Sequence, residues 1–251
     1  MRGLKGAVLA FVVTASAGAQ SGDALLSDSR LTVHTLLRED IFACLIGNDM
    51  TRLAKAERNL EILLQERPGQ RANILAWKAS ALVCRAVIAH EAGRADEFER
   101  LYAGSREIFA EASGLPSGNE GVPPIVGGTM SVFADRLPER HRADAWSLAY
   151  DNYSILWKHQ GAGIEKLPVH LKGEVLAGLA QSAQRTGRAD EAAMLVDRML
   201  LVLANTPYEA TARQWKTDPA SAATTNLTCK NCHSPGRLSA RVAALSKGGE
   251  R

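Results

Sequence analysis

Aromatic residues are scarce in this chain, at 5% of its positions, and no stretch alternates apolar and polar residues as a half-buried strand does. Alanine and leucine are abundant instead, which argues against a sheet-based fold and for helices. Excess charge is lacking too. Arg2 and Lys5 fall in a leader described below, and without them the 30 Lys and Arg drop to 28 against 27 Asp and Glu, a balance of about +1. Such a balance gives no electrostatic reason to expect nucleic acid or an anionic membrane as partner. There is no catalytic triad, phosphate loop or paired-carboxylate constellation, so no enzyme is expected. Acids and bases at helical spacing, such as Glu57, Arg58 and Glu61, read as a solvated face.

Only four cysteines occur, and two of them lie in the run Cys229-Lys230-Asn231-Cys232-His233. This is C-x-x-C-H, the attachment sequence of a c-type haem. Two thiols three positions apart can each bond a vinyl group on the porphyrin, and the next residue presents its imidazole to the iron. A closed zinc site would need four ligands, and no second C-x-x-C or histidine pair stands at a suitable spacing. A thioredoxin-like dithiol would need a βαβ unit, which a chain without strands cannot build. One covalent haem c is the cofactor expected, held by Cys229 and Cys232 with His233 as proximal iron ligand.

Covalent haem attachment of this type takes place outside the bacterial cytoplasm, and the N-terminus reads as an export signal. Arg2 and Lys5 form a positive region, Ala7 to Ala15 a short apolar one, and Ala17-Gly18-Ala19 fits the small-x-small cleavage pattern. Residues 1–19 are expected to be removed, leaving a periplasmic mature protein. The apolar run is far short of the roughly 20 residues that cross a bilayer, and no later segment is expected to span one.

The apolar spacing of the mature chain is helical almost throughout, as in Leu53, Ala56, Leu60, Leu63 and Leu64. Glycine and proline cut the pattern at Pro68-Gly69, Gly93, the stretch Ser113 to Gly128, Gly161 with Gly163, and Gly187. Helices are expected near 31–47 and 51–66, 70–92 and 95–112, 122–136 and 139–159, and 168–186 and 189–204, which makes four hairpins. Gly93-Arg94-Ala95-Asp96-Glu97 recurs letter for letter as Gly187-Arg188-Ala189-Asp190-Glu191. In each copy the glycine can close one helix in the left-handed conformation, and the acidic pair then meets the positive end of the next helix dipole.

Trp77-Lys78-Ala79 with the turn that follows it resembles the tetratricopeptide repeat, a helix-turn-helix unit that stacks into a solenoid. The fold class expected is therefore all-α, a tetratricopeptide-like stack of about four hairpins over residues 20–217. Hairpin starts near 31, 70, 122 and 168 are spaced more widely than the roughly 34 residues of a standard repeat. Such stacks present extended faces to other proteins. Beyond a short helical segment from Pro207 to Trp215, residues 218–226 are small and polar and read as a linker. Residues 218–251 thus form a linker and haem-attachment segment for which the helical body supplies the wall.

The second half carries Pro168-Val169-His170-Leu171-Lys172-Gly173-Glu174, the second Gly-Arg-Ala-Asp-Glu turn, Thr206-Pro207-Tyr208-Glu209 and Thr228-Cys229-Lys230-Asn231-Cys232-His233. In these runs the chain resembles a group of exported bacterial proteins that join tetratricopeptide-like helices to a terminal C-x-x-C-H. The resemblance implies haem attachment at Cys229 and Cys232 and ligation by His233, and brings no substrate, partner or activity.

The second axial ligand separates an electron carrier from a gas-binding site. No methionine follows Met199, so the common small cytochrome c order, with its motif first and a methionine later, is excluded. Cytochromes c′, with the motif near the C-terminus and often no distal ligand, match its position better, but not the chain's length or linker. Candidates that could fold back are His34, His90, His141, His159, His170, Met130, Met194 and Met199. His170 is the first choice, at the start of a helix within the segment that carries the resemblance. Met194 and Met199 read more simply as core residues of their helix. Cys44 and Cys84 lie in apolar contexts on the first helices of neighbouring hairpins, where an oxidising compartment permits a disulfide if their Cα atoms approach within about 7 Å. Two buried thiols acting as small hydrophobes are the plainer reading.

Together these features point to an exported monohaem c-type cytochrome that passes electrons to or from a redox protein partner. The alternative is a repeat adaptor for other proteins, with a structural or gas-sensing haem.

Overall fold

A computed structural model of the chain describes residues 26–116 and 118–223. Over these residues the backbone is helical and holds no strand. The order is α1 Val33–Gly47, α2 Met50–Glu66, α3 Arg71–Glu91, α4 Ala95–Gly114, α5 Gly118–Phe133, α6 Glu139–Gln160, α7 Val169–Arg185, α8 Ala189–Val202 and α9 Glu209–Thr217. Short 3-10 turns, among them Gly161–Lys166 and Pro219–Ala223, punctuate the connections.

Local chemistry sets the ends. The Thr35 amide donates to the Thr32 hydroxyl at 3.1 Å, and the amides of Thr51 and Arg52 donate to the Asp49 carboxylate at 3.1 and 3.0 Å. Both caps satisfy amides that a helix start leaves unpaired. The repeated turn is built the same way twice. Gly93 and Gly187 take φ of +74° and +78°, and the amides of Arg94 and Arg188 each reach back five residues at 2.9 Å, to the carbonyls of Ala89 and Ala183. Asp96 with Glu97, and Asp190 with Glu191, then lie in the first turn of α4 and α8.

Consecutive helices pair as α1 with α2, α3 with α4, α5 with α6 and α7 with α8, and α9 packs on α8. The first helices also touch in succession, α1 to α3, α3 to α5 and α5 to α7. The core falls into two clusters that meet along α6: one from Leu26 to Ala149, the other from Tyr153 to Ala222. Tyr153 is fully buried at the join. Its ring lies against Gly127 of α5 and over Gly178 of α7, and any Cβ at Gly178 would overlap it. Tyr208 covers Gly173 in the same manner.

Several expectations change. The fifth helix begins at Gly118, four residues early, and carries Pro123 and Pro124 inside it. Each proline deletes one backbone donor, but the apolar residues Val122, Ile125 and Val126 that follow the helical period are buried. Residues 70–91 belong to a helix long and apolar enough, over Pro68–Glu91, to cross a bilayer, contrary to the expectation that no later segment would be. In this fold 72% of its apolar window is buried within the helical body. Cys44 and Cys84 are joined in a disulfide, with Cα atoms 6.5 Å apart, rather than standing as free thiols. The bridge ties α1 to α3.

Candidate functional site

Cys229, Cys232 and His233 lie outside the described residues, as do residues 1–19. The described chain ends at Ala223, six residues before Cys229. At about 3.3–3.6 Å per extended residue, those six reach no further than roughly 20 Å. Next to that end, Ala222 packs on α7 and shares a groove with α8 and α9.

Residues 219–223 do not hang free as a linker. Pro219–Ala223 form a 3-10 turn on the body, where Gln181 Nε2 of α7 donates to the Ala222 carbonyl at 3.1 Å. Beside this turn a groove of about 190 Å³ opens between α7, α8 and α9. Ala180 and Gln184 come from α7, Ala189, Asp190, Ala192, Ala193 and Val196 from α8, and Trp215 and Lys216 from α9. The exposed area of its lining is mainly apolar, because alanines at helical spacing leave a shallow face between two helices. Trp215 is 1% exposed, and its indole N–H has no acceptor among the described residues. Lys216 stands at the rim, 2.6 Å from Asp197.

A second, polar cluster forms where α1 and α7 come near each other. On α1, Arg38 Nη1 lies 3.1 Å from His34 Nε2, and the His34 ring packs at 5.2 Å on Trp77 of α3. On α7, His170 Nε2 lies 3.6 Å from a Glu174 carboxylate oxygen. Burial drives the His34 imidazole down to about 3, helped by the positive charge of Arg38 and of His170. Burial pushes the Glu174 carboxyl up to about 7, against the pull of Arg38. At neutral pH His34 is therefore uncharged and Glu174 is close to its midpoint. Among the described residues no group of three or more His, Cys, Asp or Glu side chains is placed to hold a metal ion.

No family model, curated protein or solved structure matches this chain. Its chemistry rests on its own residues.

Of the eight distal candidates, His34 and His170 lie near enough to influence each other electrostatically, and His90 and His141 share a neighbour in Phe98. His141 bonds Glu99 at 3.2 Å and packs against Phe98 and Tyr102, and His90 also packs on Phe98. His159 is exposed near the end of α6. Met130 and Met199 are fully buried in the core, as Met199's helix face requires. Met194 is not a core residue; it is 67% exposed. Five residues apart, Met194 and Met199 cannot share a face, and α8 turns Ala192, Leu195, Val196 and Met199 inward. Arg38, Glu174 and Trp215 were not singled out from the sequence. The i,i+4 pairs His34 with Arg38 and His170 with Glu174 were the available signal for two of them. A lone tryptophan in the polar segment around α9 was the signal for the third.

Proposed function

We propose that the mature chain is an exported monohaem c-type cytochrome that exchanges electrons with a redox protein partner. The observation that carries this reading is C-x-x-C-H at residues 229–233, with two thiols and an imidazole in the order and spacing that covalent haem attachment uses. Cys229 and Cys232 hold the group, and His233 ligates it. When bound, the haem supplies a one-electron couple. The helical body is accessory to that chemistry: it offers an apolar groove within reach of the motif and a surface for the partner.

Two further observations support the reading. The Cys44–Cys84 disulfide is a bond that persists in oxidising compartments, where c-type attachment occurs, and so favours export. The finer description of the body as tetratricopeptide-like is favoured by the paired helices, the successive contacts of α1, α3, α5 and α7, and the identical turns at Gly93 and Gly187. A repeat adaptor with a gas-sensing haem is the second reading. It is favoured by the groove beside Ala222, which among the described residues is lined by no His, Met or Cys that could fill a second axial position.

A redox titration of the haem-loaded protein separates the two. Reversible ferric–ferrous cycling without uptake of carbon monoxide supports electron transfer, whereas rapid carbon monoxide binding by the ferrous form supports sensing. A protein that acquires no haem in a maturation-competent periplasm refutes both.

A further inference from the structure

We infer that the groove between α7, α8 and α9 is the seat of the haem borne by Cys229 and Cys232, its ring lying over Ala192, Ala193 and Val196 and a propionate turned toward Trp215 and Lys216. The inference rests on the c-type reading above. The chain's own path favours this occupant. The described residues end at the groove, since Pro219 and Ala222 form part of its lining, and residues 224–251 follow directly with the motif six positions along.

The lining suits a flat apolar ring with one acidic edge. Alanines at 180, 192 and 193 keep the floor shallow, and Ala193 is exposed, so apolar surface is left open to solvent beside the buried Val196. Of the residues that line it, Trp215 has a buried indole N–H that lacks an acceptor among the described residues, and Lys216 carries an ammonium that now pairs with Asp197. A carboxylate arriving there would satisfy the first and form a charge-assisted bond with the second. A volume of about 190 Å³ lies below the roughly 300–1,000 Å³ of pockets that enclose whole small molecules, so the groove takes one face and edge of the ring. The rest stays accessible to a partner protein.

This placement also separates the iron from the polar cluster. Ala180 follows His170 by ten residues on α7, roughly 15 Å at a rise of about 1.5 Å per residue. A ring over the groove leaves His170 and His34 as partners of Glu174 and Arg38.

The test uses full-length protein matured in a periplasm competent for haem attachment, with haem content measured by the pyridine haemochrome. Melting of the helical body is compared between the haem-loaded chain and the haem-less Cys229→Ala/Cys232→Ala chain. The wild-type pair is expected to differ, the loaded form melting higher. Ala193→Trp, which fills the groove from an exposed position, is expected to keep full haem content and erase that difference; Ala189→Trp, also exposed, is the second filling variant. Trp215→Phe, measured as loaded against haem-less protein in its own background, is expected to shrink it. An undiminished difference in both filling variants overturns the inference while the c-type reading stands. So does a haem spectrum that changes with His170→Ala or His34→Ala but not with groove filling, because the iron would then sit against α1 and α7. A wild-type chain without haem removes the c-type reading itself.

Discussion

Burial sets the charge of His34 and Glu174 in opposite senses. His34, packed on Trp77 and beside Arg38, is neutral down to about pH 3, whereas an unfolded histidine takes up its proton near 6.5. Over that interval the unfolded chain binds the extra proton, so this residue costs stability as pH falls. Glu174 works the other way. Its carboxyl keeps a proton up to about pH 7 against 4.5 when unfolded, so its contribution is complete below 4.5 and is lost as pH rises through 7. Arg38 from α1 and His170 on its own helix are the charged and titratable groups that face it. Glu174→Gln should therefore gain on the wild type as pH is raised from 4.5 to 7 in urea melts, and His34→Phe should flatten the acid limb between 6.5 and 3. A wild-type-minus-Glu174→Gln difference that does not change with pH would contradict the assignment.

At the scale of elements, the four hairpins depend on turns and on close helix approach. Gly187 holds φ of +78° with no atom near its missing side chain, so the cost of Gly187→Ala is backbone alone, about 1–2 kcal/mol. Gly178→Ala is a different matter, because the added methyl would displace the Tyr153 ring at the junction of the two core clusters. Thermal denaturation should show a larger loss for Gly178→Ala than for Gly187→Ala, and Tyr153→Leu should relieve part of it. These elements were largely legible beforehand. The period of Leu53, Ala56, Leu60 and Leu63 reads directly as the buried face of α2, and the duplicated Gly-Arg-Ala-Asp-Glu gives two helix boundaries to the residue. Boundaries were lost where a strong breaker sits inside a helix, as Pro123 and Pro124 do in α5. Met194 was misplaced because apolar character alone does not say which side of α8 it occupies. The meeting of His34 with His170 was invisible for a plainer reason: 136 positions separate them in sequence, and only the stacking of helices sets the distance.

Across the described body, a disulfide ties α1 to α3 and the Pro219–Ala223 turn packs on α7. Cys44 and Cys84 are fully buried and 40 residues apart, so their bond closes a loop worth about 3–4 kcal/mol of unfolded-chain entropy. Cys44→Ala/Cys84→Ala should lower the melting temperature by roughly 10 °C, as a chain of this size loses about 2–4 °C per kcal/mol. The haem content of that variant should be unchanged, since the bridge lies in the first core cluster and the groove in the second. The central claim is a covalent haem near the C-terminus, and intact-mass analysis of mature protein from its native host, with the reduced pyridine haemochrome spectrum, tests it most directly. The account predicts one haem per chain, a c-type band, and loss of both in Cys229→Ala/Cys232→Ala. A colourless chain whose Cys229 and Cys232 are free thiols or zinc ligands would contradict it.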